Sequence, residues 1–458
     1  MGLRPSAVPQ LPLDGHPEPV RRAAVGSVER EPTGGRDVAP VGADVREPWL
    51  QAMGLHARDG VPCDADSEFD SQKTIDAIVQ HLRSAGHTVH LVEATADLPQ
   101  WFLTHTVDLV FNIAEGSHGE HRESQVPAIL ESLGIPFTGS NSVTLALALD
   151  KAKTKQILAS EGIPTPPWQL FQTPTTPRNP RLGFPLIVKP NREGSSKGIW
   201  RESVVGDEAA LRRQITHIFE RYRQEALVEE FIDGREITVG VIGEEALPIL
   251  EIDFGPCKTS GEFFYSWRMK EFQGNVSLGL APALYCPARL DGSTTARVQA
   301  VALRAHRAIG CRDLSRTDIR LAADGTPFVL EVNPLPGLSP LDSNFPVMTT
   351  AAGISHAALM QRIVELAMAR YTQRASSRSC AHTADLVGAR MPGSSIQSQE
   401  PSSAGASFDP STQASVLAGR PSLGVVPSLS RDDAAGDGLA QGGPELRRGD
   451  LAAMRGAP

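Results

Sequence analysis

Apolar and polar positions change their period several times along the chain. Ser71–Ala85 (SQKTIDAIVQHLRSA) carries Ile75, Ile78, Val79 and Leu82 at helical spacing, and Gly86 ends the helix. A strand is predicted at His87–Val92, then a continuous apolar strand at Val107–Ile113. Helices follow over Ser124–Leu133 and Lys151–Glu161, closed by Gly134 and Gly162. Strands come next at Leu186–Lys189, Leu227–Phe231, Glu236–Ile242 and Pro248–Asp253. Helix Thr294–Ile309, a hairpin over Ser315–Val332 and helix Ile354–Ala369 complete the ordered part. This alternation, with no internal repeat, predicts a multidomain α/β (α+β) fold with more than one sheet.

Periodicity fails at both ends. Residues 1–60 are crowded with Pro, Gly and Arg, and 373–458 with Ser, Gly, Ala and Pro. Such segments bury too little apolar surface to offset their ordering entropy, so both are expected to be disordered. Across all 458 residues 40% are apolar, enough for a sizeable core. The net charge of −9 (44 Lys and Arg against 53 Asp and Glu) argues against a nucleic-acid partner, which would need a basic stripe. The five cysteines form no CxxC pair, which points to a reducing cytosol rather than a disulfide framework or zinc knuckle. No run approaches the roughly 18 apolar residues of a membrane span. A soluble, cytoplasmic protein without a membrane partner is expected.

The segment 315–334 (SRTDIRLAADGTPFVLEVNP) is the most informative. Asp324-Gly325 reads as a two-residue hairpin turn. Asp318 then faces Glu331, and Arg316 faces Asn333, all on one side of the ribbon. Ile319, Leu321, Phe328, Leu330 and Val332 fall on the other, as a core face. Opposed acids ~5 Å apart repel, so the pair needs water or a cation. Oxygen-only donors suit a hard cation such as Mg²⁺. The competing reading is a solvated face of an edge hairpin.

Upstream, IVKPNREGSSKGI (187–199) runs a strand into a loop of small residues. Gly194, Ser195, Ser196 and Gly198 permit close approach of backbone N–H groups to an anion, and Lys189 adds a point charge. The Walker A spacing is absent, and a mobile surface hairpin would read the same way. In LVEEFIDGREITVGV (227–241), Glu229 and Glu236 flank a turn. They could take an adenine amino group and a ribose diol, or form a solvated hairpin tip.

Taken in order, these pieces resemble the ATP-grasp fold and, within it, the D-alanine–D-alanine ligase family. The resemblance covers roughly residues 64–371. It is carried by FNIAEGSHGEHRESQVPAILESLGIPFTGS (111–140), DKAKTK (150–155), FPLIVKPNREGSSKG (184–198), VEEFIDGREITV (228–239), FYSWRMK (264–270), RTD (316–318), EVNPLPGLSP (331–340) and SNFP (343–346). It implies an N-terminal preATP-grasp substrate domain at 61–150. Two α+β subdomains would clasp ATP, a central one at 151–242 and a C-terminal one with the metal site at 243–372. It also implies that Lys151, Lys189 and Lys270 meet phosphate, Glu229 the adenine and Glu236 the ribose. The main chain of Glu230–Ile232 would form the hinge. Asp318, Glu331 and Asn333 would hold two Mg²⁺ or Mn²⁺. Arg316 and Ser195 would be catalytic, and Gly337 and Ser343 would contact substrate. The implied activity joins two amino acids through an acylphosphate, forming ADP and phosphate, in peptidoglycan synthesis and as a homodimer.

Three positions depart from the family's pattern. Glu115 stands where His is usual, and Glu271 where Tyr follows the phosphate lysine. The N-terminal Gly-rich strand with its substrate-orienting Glu is not recognisable; Glu68 or Asp70 could supply the acid, and Trp49–Leu55 could hide the strand. All three lie where the substrates' charged ends are expected. An ATP-grasp ligase with another amino-acid substrate is therefore the alternative. A nucleotide-binding pseudoenzyme is the rival from another class.

Overall fold

A computed structural model describes residues 62–65, 67–388 and 422–427. In chain order the N-terminal part contains α1 (Gln72–Ser84), β1 (Thr88–Leu91), α2 (Leu98–Thr104), β2 (Leu109–Ile113), α3 (Gln125–Leu133) and α4 (Ser142–Leu149). Next come α5 (Lys151–Ser160), β3 (Trp168–Phe171), β4 (Leu186–Pro190), β5 (Val204–Val205), α6 (Glu208–Tyr222) and β6 (Ala226–Glu230). Then follow β7 (Gly234–Ile242), β8 (Glu245–Ala246), β9 (Leu250–Asp253), α7 (Trp267–Glu271), β10 (Ala283–Tyr285) and α8 (Gly292–Ile309). The series ends with β11 (Leu314–Ala322), β12 (Pro327–Asn333), α9 (Asn344–Ala351), α10 (His356–Gly388) and β13 (Ser422–Pro427).

Three sheets result. β1-β13-β2 is parallel; β3-β6-β4-β5 is antiparallel; β10-β9-β7-β11-β12, with β8 on β7, is antiparallel. Each has an apolar face covered by helices. The Ser71 side chain caps α1 at Thr74 N, and its Ile75, Ile78 and Leu82 join Val89, Phe111 and Met360 in one core. Leu211, Ile215 and Ile218 of α6 cover Leu186, Val188 and Val228. Val298, Ala302 and Ala305 of α8 cover Ile237, Val239, Ile319 and Val329. Each fully buried Leu, Ile or Val contributes about 1.5–3 kcal/mol by leaving water.

The hairpin β11–β12 pairs Asp318 with Glu331 and Arg316 with Asn333, as the spacing predicts. It reaches that register differently. The turn is not two residues long: Ala322 N donates to Thr326 O, leaving Ala323, Asp324 and Gly325 as the loop, with Gly325 at φ +81°. The tip is therefore shifted by one, so that Ile319 faces Val329 and Leu321 faces Pro327. An irregularity between Asp318 and Ile319 restores the register, with Leu330 as the extra residue. Because a one-residue slip reverses the faces, Val329 is in the core, while Phe328 and Leu330 are only half-buried.

The tail also differs from expectation. α10 continues to Gly388, and Ser422–Pro427 is a strand, although 373–458 reads as disordered. The strand SLGVVP is too short and too isolated to show a period; β1 and β2, on either side of it, supply the missing backbone partners. Residues 1–60, including Trp49–Leu55, lie outside the described residues.

Candidate active site

The polar face of β11–β12 is one wall of the site. Asp318 and Asp-facing Arg316 form a two-pronged pair: Nε donates to Oδ1 at 2.9 Å and an Nη to Oδ2 at 2.8 Å. Thr238, across the ladder on β7, donates to Asp318 Oδ1 at 2.6 Å. Asn333 Nδ2 donates to Asp318 Oδ2 at 3.0 Å. Glu331 lies 3.4 Å from Lys151 Nζ at the start of α5. Burial pushes the Glu331 carboxyl up, but Lys151, Lys189 and Arg316 outweigh it and hold it at about 2. Among the described residues no group of three His, Cys, Asp or Glu could hold a metal. Asp318 and Glu331, with the side-chain amide of Asn333 beside them, present oxygen donors and neither imidazole nor thiolate. That oxygen-only set fits Mg²⁺ or Mn²⁺ rather than zinc.

A second group lies on the sheet β3-β6-β4-β5. Glu229, on β6, is 1% exposed and clamped by two lysines: Lys189 at 2.8 Å and Lys155 at 2.7 Å. Burial and the neighbouring Lys189 bring Lys155 down to about 8, although Glu229 pulls the other way. Glu230 turns outward, accepting from Gly183 N at 2.8 Å. The amides of Glu230 and Phe231 are spent on Pro167 O and Pro185 O. Ile232 follows at the turn into β7. Glu236, on β7, lies 3.1 Å from Arg320 and accepts from Tyr265 N at 3.3 Å. It lines a cleft of about 470 Å³ with Glu251, Asp253, Lys258 and Phe263.

The small-residue loop after β4 joins the two groups. Ser195 and Ser196 have φ of 49° and 58°, a left-handed pair that turns the chain sharply. Lys270, on α7, donates to Ser195 Oγ at 2.9 Å. Burial and the nearby Arg316 lower its ammonium to about 8. Lys151 Nζ donates to Glu193 O in the same loop. Glu68 is drawn into it as well: its carboxylate accepts from Gly194 N (2.6 Å), Arg122 (2.5 Å) and Lys197 (3.2 Å). Burial raises Glu68, yet Lys197 and Arg122 hold it at about 2.

Asp70 lines a cleft with Phe111, Asn112, Glu115, Gly337 and Leu338. Gly337 packs against Ser343, whose Oγ would be 2.8 Å from an added Cβ, and Ser343 Oγ accepts from Ser339 N. Burial, with Glu123, Glu68 and Asp70 nearby, pushes the Glu115 carboxyl well up. Burial and then Glu68 push Glu123 up to about 8. Glu271 ends α7.

Comparison with known proteins places the chain in a family. The D-ala D-ala ligase C-terminus family matches residues 157–365. A D-alanine–D-alanine ligase of Citrifermentans bemidjiense is 35% identical over 312 residues, covering 67% of this chain and 93% of its own. The chain belongs to the D-alanine–D-alanine ligase family. An uncharacterised protein of Sinorhizobium fredii, y4sG, is likewise 35% identical over 307 residues, 65% of this chain and 88% of its own. The Bacillus anthracis D-alanine–D-alanine ligase solved with ATP has a TM-score of 0.54 at 28% identity, covering 66% of this chain and 94% of that one. The family's ATP-grasp fold accounts for the two antiparallel sheets. Lys155, Arg122, Lys197 and Thr238 are the site residues that motif reading passes over. DKAKTK contains the first, and the charged run 120–123 the second, but neither spacing says which side chain turns inward.

Proposed function

We propose that this protein is an ATP-dependent ligase joining two amino acids, of the D-alanine–D-alanine type, forming ADP and phosphate. The observation that carries the reading is the convergence of Asp318, Glu331, Asn333 and Arg316 on one ribbon face, with Lys151 on Glu331 and Lys270 on the Ser195 loop. Lys151, Lys189 and Lys270 supply positive charge for a triphosphate, and Glu236 lines a cleft where a ribose diol could bond. Asp318, Glu331 and Asn333 would hold Mg²⁺, after Arg316 and Lys151 release the two carboxylates. A bound divalent cation supplies charge neutralisation for phosphoryl transfer.

The first substrate's carboxylate takes the γ-phosphoryl group, giving an acylphosphate and ADP. The amine of the second substrate attacks that carbonyl, and phosphate leaves. Arg316 then faces the developing oxyanion, and Ser195 and Lys270 hold the phosphate end of the site. Glu68 is the acid we assign to orienting the substrate amine, because it joins the loop that carries Ser195, while Gly337 and Ser343 bound the second pocket. The substrate domain would comprise 61–150, the central subdomain 151–242 and the C-terminal one 243–372. The partners are ATP and small amino acids, with a homodimer in the cytoplasm by family analogy.

A second reading keeps this chemistry and changes the substrate. It is favoured by Asp70 and Glu115 together in the cleft beside Gly337. ADP release with ATP, Mg²⁺ and D-alanine, with products read by mass spectrometry, tests both. A D-alanyl-D-alanine mass supports the first reading. Stimulation only by another amino acid from a panel supports the second. In either case Glu331→Gln should lower ADP formation by at least about 100-fold while the protein stays folded. Equal rates in variant and wild type would refute the metal assignment.

A further inference from the structure

The parallel sheet that carries the amino-acid cleft is not closed by its own neighbours in sequence. Among the described residues β1 and β2 share no ladder with each other; each has its ladder with β13, one on either side. Leu423 to Pro427 pair with Leu109 to Ile113, and Ser422 to Val425 with Thr88 to Leu91. Beyond β1, Val92 N donates to Val425 O at 3.0 Å. On its other edge β2 has one isolated bridge, from Val110 to Phe137. Val425 is fully buried in the core with Ile75, Val89 and Phe111. Strands separated by one intervening strand stand ~10 Å apart, twice the spacing of neighbours and too far for any direct backbone bond. With β13 gone, the facing N–H and C=O groups of β1 and β2 are stranded, and Val425 leaves a void.

β2 is also a wall of the candidate site. Phe111, Asn112, Ile113 and, just beyond the strand, Glu115 line the cleft opposite Gly337 and Leu338. The lysine clamp on Glu229 and the polar face of β11–β12 sit on the two other sheets, which have no strand from the tail.

We propose that the C-terminal segment Ser422–Pro427 is a docking strand, inserted from the same chain, on which assembly of the amino-acid cleft depends while nucleotide binding does not. The groove between β1 and β2 is an acceptor for an extended apolar segment running parallel to both. The segment is covalently part of the same chain, which raises its local concentration, so docking in cis outcompetes a second copy. Detachment of the tail would leave a protein that holds ATP without ligating. This consequence for activity rests on the ligase reading; the docking itself does not.

Hydrogen exchange of the full-length chain followed by mass spectrometry tests the docking directly. Amides of 422–426 should be as protected as those of 109–113, and unchanged on tenfold dilution. Free exchange of 422–426 with 109–113 protected would overturn the proposal, since another segment, such as 49–55, would then fill the groove. Protection lost on dilution would overturn docking in cis and point to exchange between copies. Full-length Val425→Asp should expose 88–91 and 109–113 by more than about tenfold in rate, leave 314–333 protected, and retain ATP binding. If this variant unfolds throughout, Val425→Ala gives the same contrast in milder form. A synthetic peptide of residues 420–431 should restore protection and, where wild type forms ADP with an amino acid, that activity too. Unchanged exchange at 109–113 in both variants would refute the dependence. Loss of ligation with exchange unchanged would refute it as well. A wild type that forms no ADP would count against the ligase reading alone, leaving the exchange result to stand.

Discussion

Glu229 has almost no access to water, so its charge must be compensated on the spot, and it is compensated by two ammonium groups. Removing one leaves the acid half-paired in a low dielectric. Lys155→Met should therefore cost about 3–5 kcal/mol in urea unfolding at neutral pH; a loss below 1 kcal/mol would mean that Lys189 compensates alone. Lys270 is the opposite case, since among the described residues its cation bonds a hydroxyl, Ser195 Oγ, and no carboxylate. Its folded value of about 8 lies below the ordinary 10.5. The cost of keeping it charged is therefore complete below pH 8 and fades as pH rises towards 10.5. Without nucleotide, Lys270→Met should be more stable than wild type by about 1–3 kcal/mol at pH 7, a gain gone by pH 10.5. The same variant should lose ADP formation. A destabilised Lys270→Met would show that the Ser195 contact outweighs desolvation. Residue types were readable here because lysines and acids are rare in apolar strands, whereas Lys155 and Glu68 needed the fold to bring their partners together.

At the scale of elements, the β11–β12 ribbon reached its expected pairing by two departures that cancel. The three-residue loop shifts the register by one, and Leu330 shifts it back. Deleting Leu330 would leave Asp318 opposite Glu331 and Arg316 opposite Asn333, now on an unbroken alternation. We expect that deletion to cost under about 2 kcal/mol and to keep nucleotide binding; thermal unfolding and nucleotide titration check it. A collapse of both would show that the bulge itself aims Glu331. The bulge left no mark in the sequence because Phe328, Val329 and Leu330 are all apolar, and period two cannot say which of three faces the core. Helix α6 is another matter. Leu211, Ile215 and Ile218 stand at helical spacing after an Asp207 cap, so its signal is present in the sequence. α4 is different again: SVTLALAL is nearly uniform, and a helix apolar all round has no face for a pattern to reveal.

The molecule as a whole is held by contacts between elements far apart in sequence, and these are where pattern reading ends. Strand β13 is one example, invisible among low-complexity neighbours. The Asp313 knot is another. Asp313, just before β11, accepts from Gly139 N at 2.7 Å and from Arg370 at 2.7 Å, while Arg370 also reaches Phe137 O at 3.1 Å. One ion pair thus ties the loop after α3, the entry to the β11–β12 ribbon and helix α10. Burial already raises the Asp313 carboxyl, and Arg370 is the chief influence pulling it down. Taking Arg370 away should raise it further and leave an unpaired acid. An acid whose folded value lies above its unfolded value binds more protons when folded, so stability falls as pH rises between the two values. Arg370→Ala should therefore cost more at pH 8 than at pH 5, with a loss of about 3–5 kcal/mol at the higher pH. Urea unfolding at both pH values measures the difference. An equal cost at pH 5 and pH 8 would mean that Arg370 works through the Phe137 and Gly139 carbonyls rather than through charge. The three elements would then be joined by hydrogen bonds that pH leaves unchanged.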